Sequence, residues 1–174
     1  MNKRLTEEVC QSLYKKYKTP EHVIGHCRAV GDTGFTIAEA LDRHGYNFDA
    51  QLIKMAGYAH DVMRLHEDHG RAAYEVLKEL GYVQEAEIVK NHMYYTFNDF
   101  KDLNETDIMC LADRLVKEDK YVGLDERVAY LIDKPGKTPE RTKFLLGKKA
   151  ETQEFIHKIE ESIGQTIDSL FDKR

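Results

Sequence analysis

Six histidine and aspartate side chains lie at positions where a helical protein normally places apolar residues. They are His26, His60, Asp61, His69, His92 and Asp113. His60, for example, follows Ala56 by four residues and precedes Met63 by three, so the three can share one helix face. A titratable group that faces a protein core is costly unless it is paired or bound to a metal ion. The pattern therefore predicts a metal site.

Imidazole and carboxylate groups together are ligands that suit Fe, Mn, Co, Ni or Zn. Six of them exceed what one four-coordinate ion needs, whereas two ions that share a bridging carboxylate would use them all. A pair of metal ions can lower the pKa of a bridging water and hold a phosphate for in-line attack. We therefore expect one or two divalent transition metal ions.

Simpler interpretations exist for each of these residues alone. A single histidine on an apolar helix face is usually a core histidine, and Asp61 would be a surface acid if its helix ended early. His66 is an alternative to His69, because residues three apart can share a face, but His69 better continues the apolar face that follows. His26 and Cys27 do not form a thiol–imidazole pair, because helix neighbours point about 100° apart.

The composition excludes several functional classes. The 174 residues carry a net charge of −5 with no basic run, so nucleic acid is not an expected partner. No stretch approaches the roughly 20 apolar residues of a membrane span, and the first residues lack the apolar centre of a signal peptide. The three cysteines have no CxxC spacing, which predicts buried thiols in a reducing compartment. We expect a cytoplasmic protein.

Helical periodicity covers nearly the whole chain. Apolar spacing and capping residues predict helices over about 6–17, 19–44, 49–63, 69–80, 84–92, 104–117 and 124–132. Thr19-Pro20-Glu21 and Thr138-Pro139-Glu140 each combine an N-cap residue with proline at the first helical position. The second of these opens a helical extension over 138–171, interrupted near Gly147. No stretch alternates with a period of two, so we expect one all-α domain spanning residues 1–174.

The order His, His-Asp, Asp resembles the HD-domain superfamily of metal-dependent phosphohydrolases. The similarity covers roughly residues 20–130 and implies an HD-domain helical bundle. The segments that carry it are PEHVIGHCRAVGDTGFTIAEAL, IKMAGYAHDVMR, EDHGRAAYEVLKELGY, AEIVKNHM and IMCLADRLV.

The resemblance assigns a role to each candidate ligand. It implies that the first metal is held by His26, His60, Asp61 and Asp113. Asp61 would bridge to a second ion held by His69 and His92. The same six-ligand arrangement occurs in bacterial HD hydrolases that cleave dinucleoside tetraphosphates.

Two basic residues are candidates for contacting the substrate. Many relatives carry Lys three residues after the His-Asp doublet, where this chain has Arg64, which can grip phosphate bidentately. A solvent-exposed role for Arg64 is the alternative. Lys120 follows Asp113 by seven residues, where relatives often place a basic residue. The resemblance thus gives Asp61 and Arg64 catalytic roles, with Arg64 and Lys120 as substrate contacts.

The expected function is hydrolysis of a small phosphate ester or anhydride, such as a nucleotide or dinucleoside polyphosphate, by a metal-activated hydroxide. Some HD proteins with the same ligands are di-iron oxygenases, which need dioxygen. A non-catalytic module that binds metal and nucleotide is a further alternative. A purely structural helical bundle would hold no stoichiometric metal.

Overall fold

Eight α-helices make up most of the computed structural model, which describes residues 3–171. They are α1 (Glu7–Tyr17), α2 (Glu21–Asp42), α3 (Ala50–Ala59), α4 (His69–Glu79), α5 (Val83–Val89), α6 (Glu105–Asp113), α7 (Leu124–Asp133) and α8 (Pro139–Ile163). One antiparallel hairpin lies between α6 and α7, formed by β1 (Val116–Lys117) and β2 (Lys120–Tyr121). The prediction of an all-α fold is confirmed. No helix within the described range is long and apolar enough to span a membrane.

The long helix α2 runs through the centre of the core, and it contacts α3, α6 and the hairpin. Its backbone packs directly against the backbone of α3 at Gly31 and Gly57. A Cβ atom on Gly57 would lie 2.5 Å from the Cα of Gly31, and a Cβ on Gly31 would lie 2.4 Å from the carbonyl oxygen of Lys54. Since interaxial distance depends on the side chains at the crossing, two glycines permit an unusually close approach. This approach places the start of α2 beside the end of α3.

The C-terminal end of α3 leaves carbonyl groups that the helix itself cannot satisfy. Hydroxyl groups from earlier in the chain satisfy two carbonyls in this region: Tyr14 donates to the carbonyl of Tyr58, and Thr19 donates to that of Val62 at 2.7 Å. Burial raises the pKa of the Tyr14 hydroxyl well above its ordinary value, so it remains a donor. The turn that follows α3 is therefore held in place by side chains of α1 and the α1–α2 connection.

This use of Thr19 corrects one sequence-based prediction. Thr19 was expected to cap α2, but its hydroxyl donates to Val62, and Pro20 occupies the N-cap position without a side-chain hydrogen bond. Thr138, in the equivalent sequence at α8, does accept from the backbone N–H of Arg141. The two similar sequences differ because only Thr19 has a buried carbonyl from a distant segment within reach.

Further corrections concern where helices end. Helix α6 ends at Asp113 rather than near Lys117, and the hairpin follows, with Glu118 turning at a positive φ of 53°. Helix α5 ends at Val89, and His92 begins a separate 3-10 helix, His92–Tyr94. Helix α3 ends at Ala59 rather than near Met63, so His60 and Asp61 follow the helix and do not lie on its face. Tertiary context overrides the local helical pattern at these three ends.

The predicted break in the C-terminal extension was wrong. Helix α8 continues through Gly147 to Ile163 and ends at Gly164, whose φ of 67° is left-handed. One glycine costs a helix about 1 kcal/mol, which buried contacts further along α8, such as those of Phe155 and Ile159, can offset. Beyond Ile163 the described chain contains only a short 3-10 helix, Asp168–Leu170.

The three cysteines are free thiols buried in the core, as predicted: Cys10, Cys27 and Cys110. Burial, together with the nearby charges of Glu85 and Glu7, raises the pKa of Cys10 to about 12. These thiols pack as small apolar side chains.

Candidate metal centre

The six predicted ligands converge at one end of α2, and most of them lie where a helix begins or ends. His26 is in the first half of α2, and His60 and Asp61 follow the last residue of α3. His69 is the first residue of α4, which begins after the N-cap residue Asp68. His92 begins the 3-10 helix after α5, and Asp113 is the last residue of α6.

Two groups of ligand atoms share the carboxylate of Asp61. One ligand atom each from His26, His60 and Asp61 lie within 4.8 Å of one another, and the same is true of Asp61, His69 and His92. All but His26 are buried side chains. Asp61 therefore lies between two half-sites, as a bridging ligand must.

Distances within the first half-site bring in Asp113. The Nε2 atom of His26 lies 2.9 Å from Oδ1 of Asp113, and Nε2 of His60 lies 3.8 Å from the same oxygen. Nε2 of His60 is also 3.8 Å from Oδ2 of Asp61. Both carboxylates thus face the same imidazole nitrogens.

The second half-site surrounds the other oxygen of Asp61. Nε2 of His69 and Nε2 of His92 lie 3.1 Å and 3.3 Å from Oδ1 of Asp61. The rings of His60 and His92 meet edge to face, with centroids 5.0 Å apart. The histidines of the two half-sites therefore form one continuous cluster.

Backbone carbonyls orient three of the four imidazole rings. Each ring places Nδ1 next to a backbone oxygen: Gly57 for His60 at 2.7 Å, Val89 for His92 at 2.8 Å, and Glu118 for His26 at 3.1 Å. A carbonyl only accepts, so Nδ1 carries the proton and Nε2 of the neutral ring is left with its lone pair. Metal-ligating histidines are typically held in this way.

Two buried atoms in the cluster lack a hydrogen-bond partner among the described residues. They are Nε2 of His60 and Oδ1 of Asp61; the nearby Nε2 atoms of His69 and His92 do not meet hydrogen-bonding geometry with this oxygen. Unpaired buried polar atoms are rare in native proteins and call for an unseen partner such as an ion. Because both atoms are lone-pair donors that face other ligand atoms, the residues fit one or two divalent transition metals.

The cluster strongly perturbs the titration of its members. Burial lowers the pKa of His60 to about 4, against the opposing charges of Asp61 and Asp113. Burial alone would raise the pKa of Asp113, but its interactions with His26, His60 and Arg127 hold it well below its usual range. The site therefore favours a neutral imidazole at His60 and an ionised carboxylate at Asp113. Burial opposes protonation of His92 as well, but its interaction with the Asp61 carboxylate outweighs burial and raises the pKa of His92.

The structure distinguishes His69 from its alternative His66. His69 is 7% exposed and faces Asp61, whereas His66 is exposed in the turn before α4.

Of the two predicted substrate contacts, Arg64 lies at the cluster, with Nη1 donating to Oδ2 of Asp61 at 3.1 Å and close to Nε2 of His69 at 3.3 Å. Lys120 is exposed on β2 and does not line the cavity described next. Its role as a substrate contact stays a prediction.

A cavity of about 470 Å³ opens from the metal centre towards α7 and α8. His26, Asp61, His92 and Asp113 form its inner end, with Arg64 beside them. Its outer wall contains apolar side chains, among them Val128 and Phe144, together with basic residues.

Basic residues of this outer wall were missed in the sequence: Arg127, Lys134 and Arg141. A signal for one of them existed, because Arg127 lies three residues after Leu124 and four before Leu131, on the apolar stripe of α7. An arginine on an inward-facing stripe is more unusual than a histidine there.

The fold is all-helical, and it carries a His and Asp cluster that could hold a metal ion. These two features place the protein among helical proteins with a candidate metal site. Residues 23–118 match the HD domain family, and the chain belongs to that family. HD domain proteins are generally metal-dependent hydrolases.

A stretch of 72 residues is 32% identical to an uncharacterized protein of Methanocaldococcus jannaschii. The alignment covers 40% of this chain and 43% of that protein, so the chain spans less than half the length of the curated relative it matches. No solved structure matches the chain.

Proposed function

We propose that this protein is a metal-dependent phosphohydrolase that uses a dinuclear centre to hydrolyse a small phosphate ester or anhydride. The observation that carries the proposal is the position of Asp61. Its two carboxylate oxygens face different sets of imidazole nitrogens, and this residue lies at the inner end of the cavity. A carboxylate in that position can bridge two ions while one side remains open to a ligand.

The chain's own residues would act on the substrate around these ions. When bound, divalent metal ions would supply Lewis acidity and a lowered pKa for coordinated water. Carbonyl contacts to His26, His60 and His92 keep their Nε2 lone pairs directed at the site. The guanidinium of Arg64, 43% exposed at the cavity, is positioned to exchange its contact with Asp61 for a substrate phosphate.

The charge of the cavity supports an anionic substrate. The chain as a whole carries a net charge of −5, yet the cavity wall is rich in arginine and lysine. A local positive field attracts phosphate compounds, and it opposes the long-range repulsion of an acidic surface. Apolar and aromatic wall residues such as Met93, Tyr94 and Phe144 suit an organic group attached to the phosphate. We therefore propose a nucleotide or dinucleoside polyphosphate as the substrate class.

Phosphate release tests this function. The purified protein, loaded in turn with Mn, Co, Ni, Fe, Zn or Mg, is assayed against nucleoside phosphates and dinucleoside polyphosphates. We expect turnover that chelator abolishes and that is lost in His60→Ala and Asp61→Ala. Asp102→Ala, at an exposed aspartate away from the cluster, is the matched control and should retain activity.

Two outcomes would contradict the proposal. One is turnover that Asp61→Ala retains, since removal of the bridging carboxylate must disrupt the centre. The other is the absence of phosphate release from the whole panel, together with oxygen consumption by the iron-loaded protein in the presence of an organophosphonate or polyol. That second result would identify the protein as an oxygenase.

A further inference from the structure

Three basic side chains in the outer part of the cavity have no acidic partner among residues 3–171. They are Arg127 in α7, Lys134 at its C-terminal end and Arg141 in α8. Three other cavity cations are held by the protein itself. Arg114 donates to Thr152, Lys148 pairs with Glu151 at 2.9 Å, and Lys149 pairs with Asp125 at 2.6 Å. The three cavity cations without an acidic partner in the described chain therefore belong to α7, its C-terminal end and α8.

Arg127 is the most unusual of the three. Its Nε atom is buried and has no hydrogen-bond partner within the described residues. Its side chain lines the same cavity as Asp61 and Asp113. A buried donor of a charged group without a partner costs free energy. A ligand that accepts from this guanidinium would recover that cost.

Lys134 and Arg141 add two more positive charges to this cavity. Lys134 and Arg127 both contact the Tyr130 ring, with Lys134 Nζ 4.7 Å and the Arg127 guanidinium carbon 5.8 Å from its centroid. Arg141 donates to the backbone oxygen of Leu131 at 3.2 Å, which holds it against α7. A guanidinium has five N–H donors, so Arg141 retains donors for a ligand.

We propose that Arg127, supported by Lys134 and Arg141, binds a second phosphate group of the substrate, next to the phosphate that reacts at the metal centre. This inference rests on the proposed function and narrows its substrate class to compounds with at least two linked phosphates. Arg127 shares one cavity with Asp61 and Asp113 and with Lys134 and Arg141, so a substrate that reaches the candidate ligands can extend a neighbouring phosphate towards it. Arginine matches this position because its planar fork binds phosphate oxygens bidentately.

The proposed subsite lies outside the part of the chain that matches the HD domain family. Arg127, Lys134 and Arg141 all follow residue 118, where the match ends. The metal ligands all fall within the match. In this arrangement the family's helices hold the metals, and the following helices α7 and α8 select the substrate.

Binding measurements test the subsite without requiring turnover. The metal-loaded protein is titrated by calorimetry with AMP and with the non-hydrolysable adenosine 5′-(α,β-methylene)diphosphate. We expect the wild-type protein to bind the diphosphate analogue more tightly than AMP. In Arg127→Gln this preference should fall by about tenfold or more, because the hydrogen bonds from a charged donor to the second phosphate are lost. Arg127→Lys should retain part of the preference, because it keeps the charge without the fork.

Arg71→Gln is the matched control, because Arg71 is exposed on α4, does not line the cavity, and pairs with Glu75 on the same helix. It should leave both affinities unchanged. Equal wild-type affinity for the two probes would overturn the subsite, as would an equal loss of affinity for both probes in a folded Arg127→Gln. Lack of hydrolysis by the wild-type protein would overturn the proposed function alone, since the preference between the two probes does not depend on turnover.

Discussion

The Nε2 atom of His69 lies 3.1 Å from Oδ1 of Asp61, although eight residues and a change of direction separate them in the chain. A succession of turns follows α3, in which Val62 bonds back to Ala59 and Arg64 to Asp61. The N-cap Asp68 then starts α4 at His69. These turns bring the first residue of α4, His69, back to Asp61.

The first prediction separates His69 from His66. His69→Ala should lower the metal content by about one ion per chain, because it removes one nitrogen from the second half-site. His66→Ala, three residues earlier and exposed, should bind metal as the wild type does. Inductively coupled plasma mass spectrometry of the two proteins gives the comparison. Equal metal loss in both variants would show that the turn, rather than the ligand, is responsible.

The second prediction concerns the glycine crossing of α2 and α3. Gly57→Ala should lower the free energy of unfolding by about 1–3 kcal/mol or more, because its Cβ would overlap the backbone of Gly31. Since the Gly57 carbonyl also orients His60, metal binding should weaken too. Chemical denaturation and metal analysis measure these effects.

Gly147→Ala is the matched control for this substitution. Gly147 lies inside α8, and apart from the backbone of its own helix no atom of residues 3–171 lies within 4 Å of an added Cβ. The change should therefore raise stability by up to about 1 kcal/mol through helix propensity alone. A Gly57→Ala protein as stable as the wild type would mean that the helices separate at little cost.

The third prediction is a loss of stability in alkali that involves Cys10. Its pKa is raised from 9.0 to about 12 by burial in the folded protein. The unfolded chain therefore releases this proton first, so stability is fully present below pH 9.0 and declines as the pH rises towards about 12. Denaturation curves over this range should show a shallower decline in Cys10→Ala. An identical pH dependence in the two proteins would contradict the assignment.

The convergence of the six candidate ligands was predictable, because the signal of each is local. A histidine or aspartate on an apolar stripe, such as His26 or Asp113, is visible from the residues three and four positions away. The choice of His69 over His66 was also local, since the same spacing places His69 on the apolar face of α4. Helical periodicity was sufficient for His26, His69 and Asp113, whereas His60, Asp61 and His92 lie just beyond the helices predicted to carry them.

The parts that the sequence did not reveal depend on distant segments. Thr19 has the sequence pattern of an N-cap residue, but its hydroxyl donates to the carbonyl of Val62, 43 residues away. The hairpin after Asp113 is too short for a recognisable strand pattern, yet its Glu118 carbonyl orients His26. Arg127 gained significance only when α7 was seen to line the cavity. Each of these roles arises from packing between elements.

The metal content of the purified protein, compared with that of Asp61→Ala, tests the dinuclear centre most directly. Protein prepared without chelator should contain up to two transition metal ions per chain. Asp61→Ala should lose at least one of them, because no other carboxylate among the described residues faces both half-sites. Asp102→Ala should match the wild type. Wild-type protein without stoichiometric metal after reconstitution, or an Asp61→Ala protein with unchanged metal content, would contradict a centre bridged by Asp61.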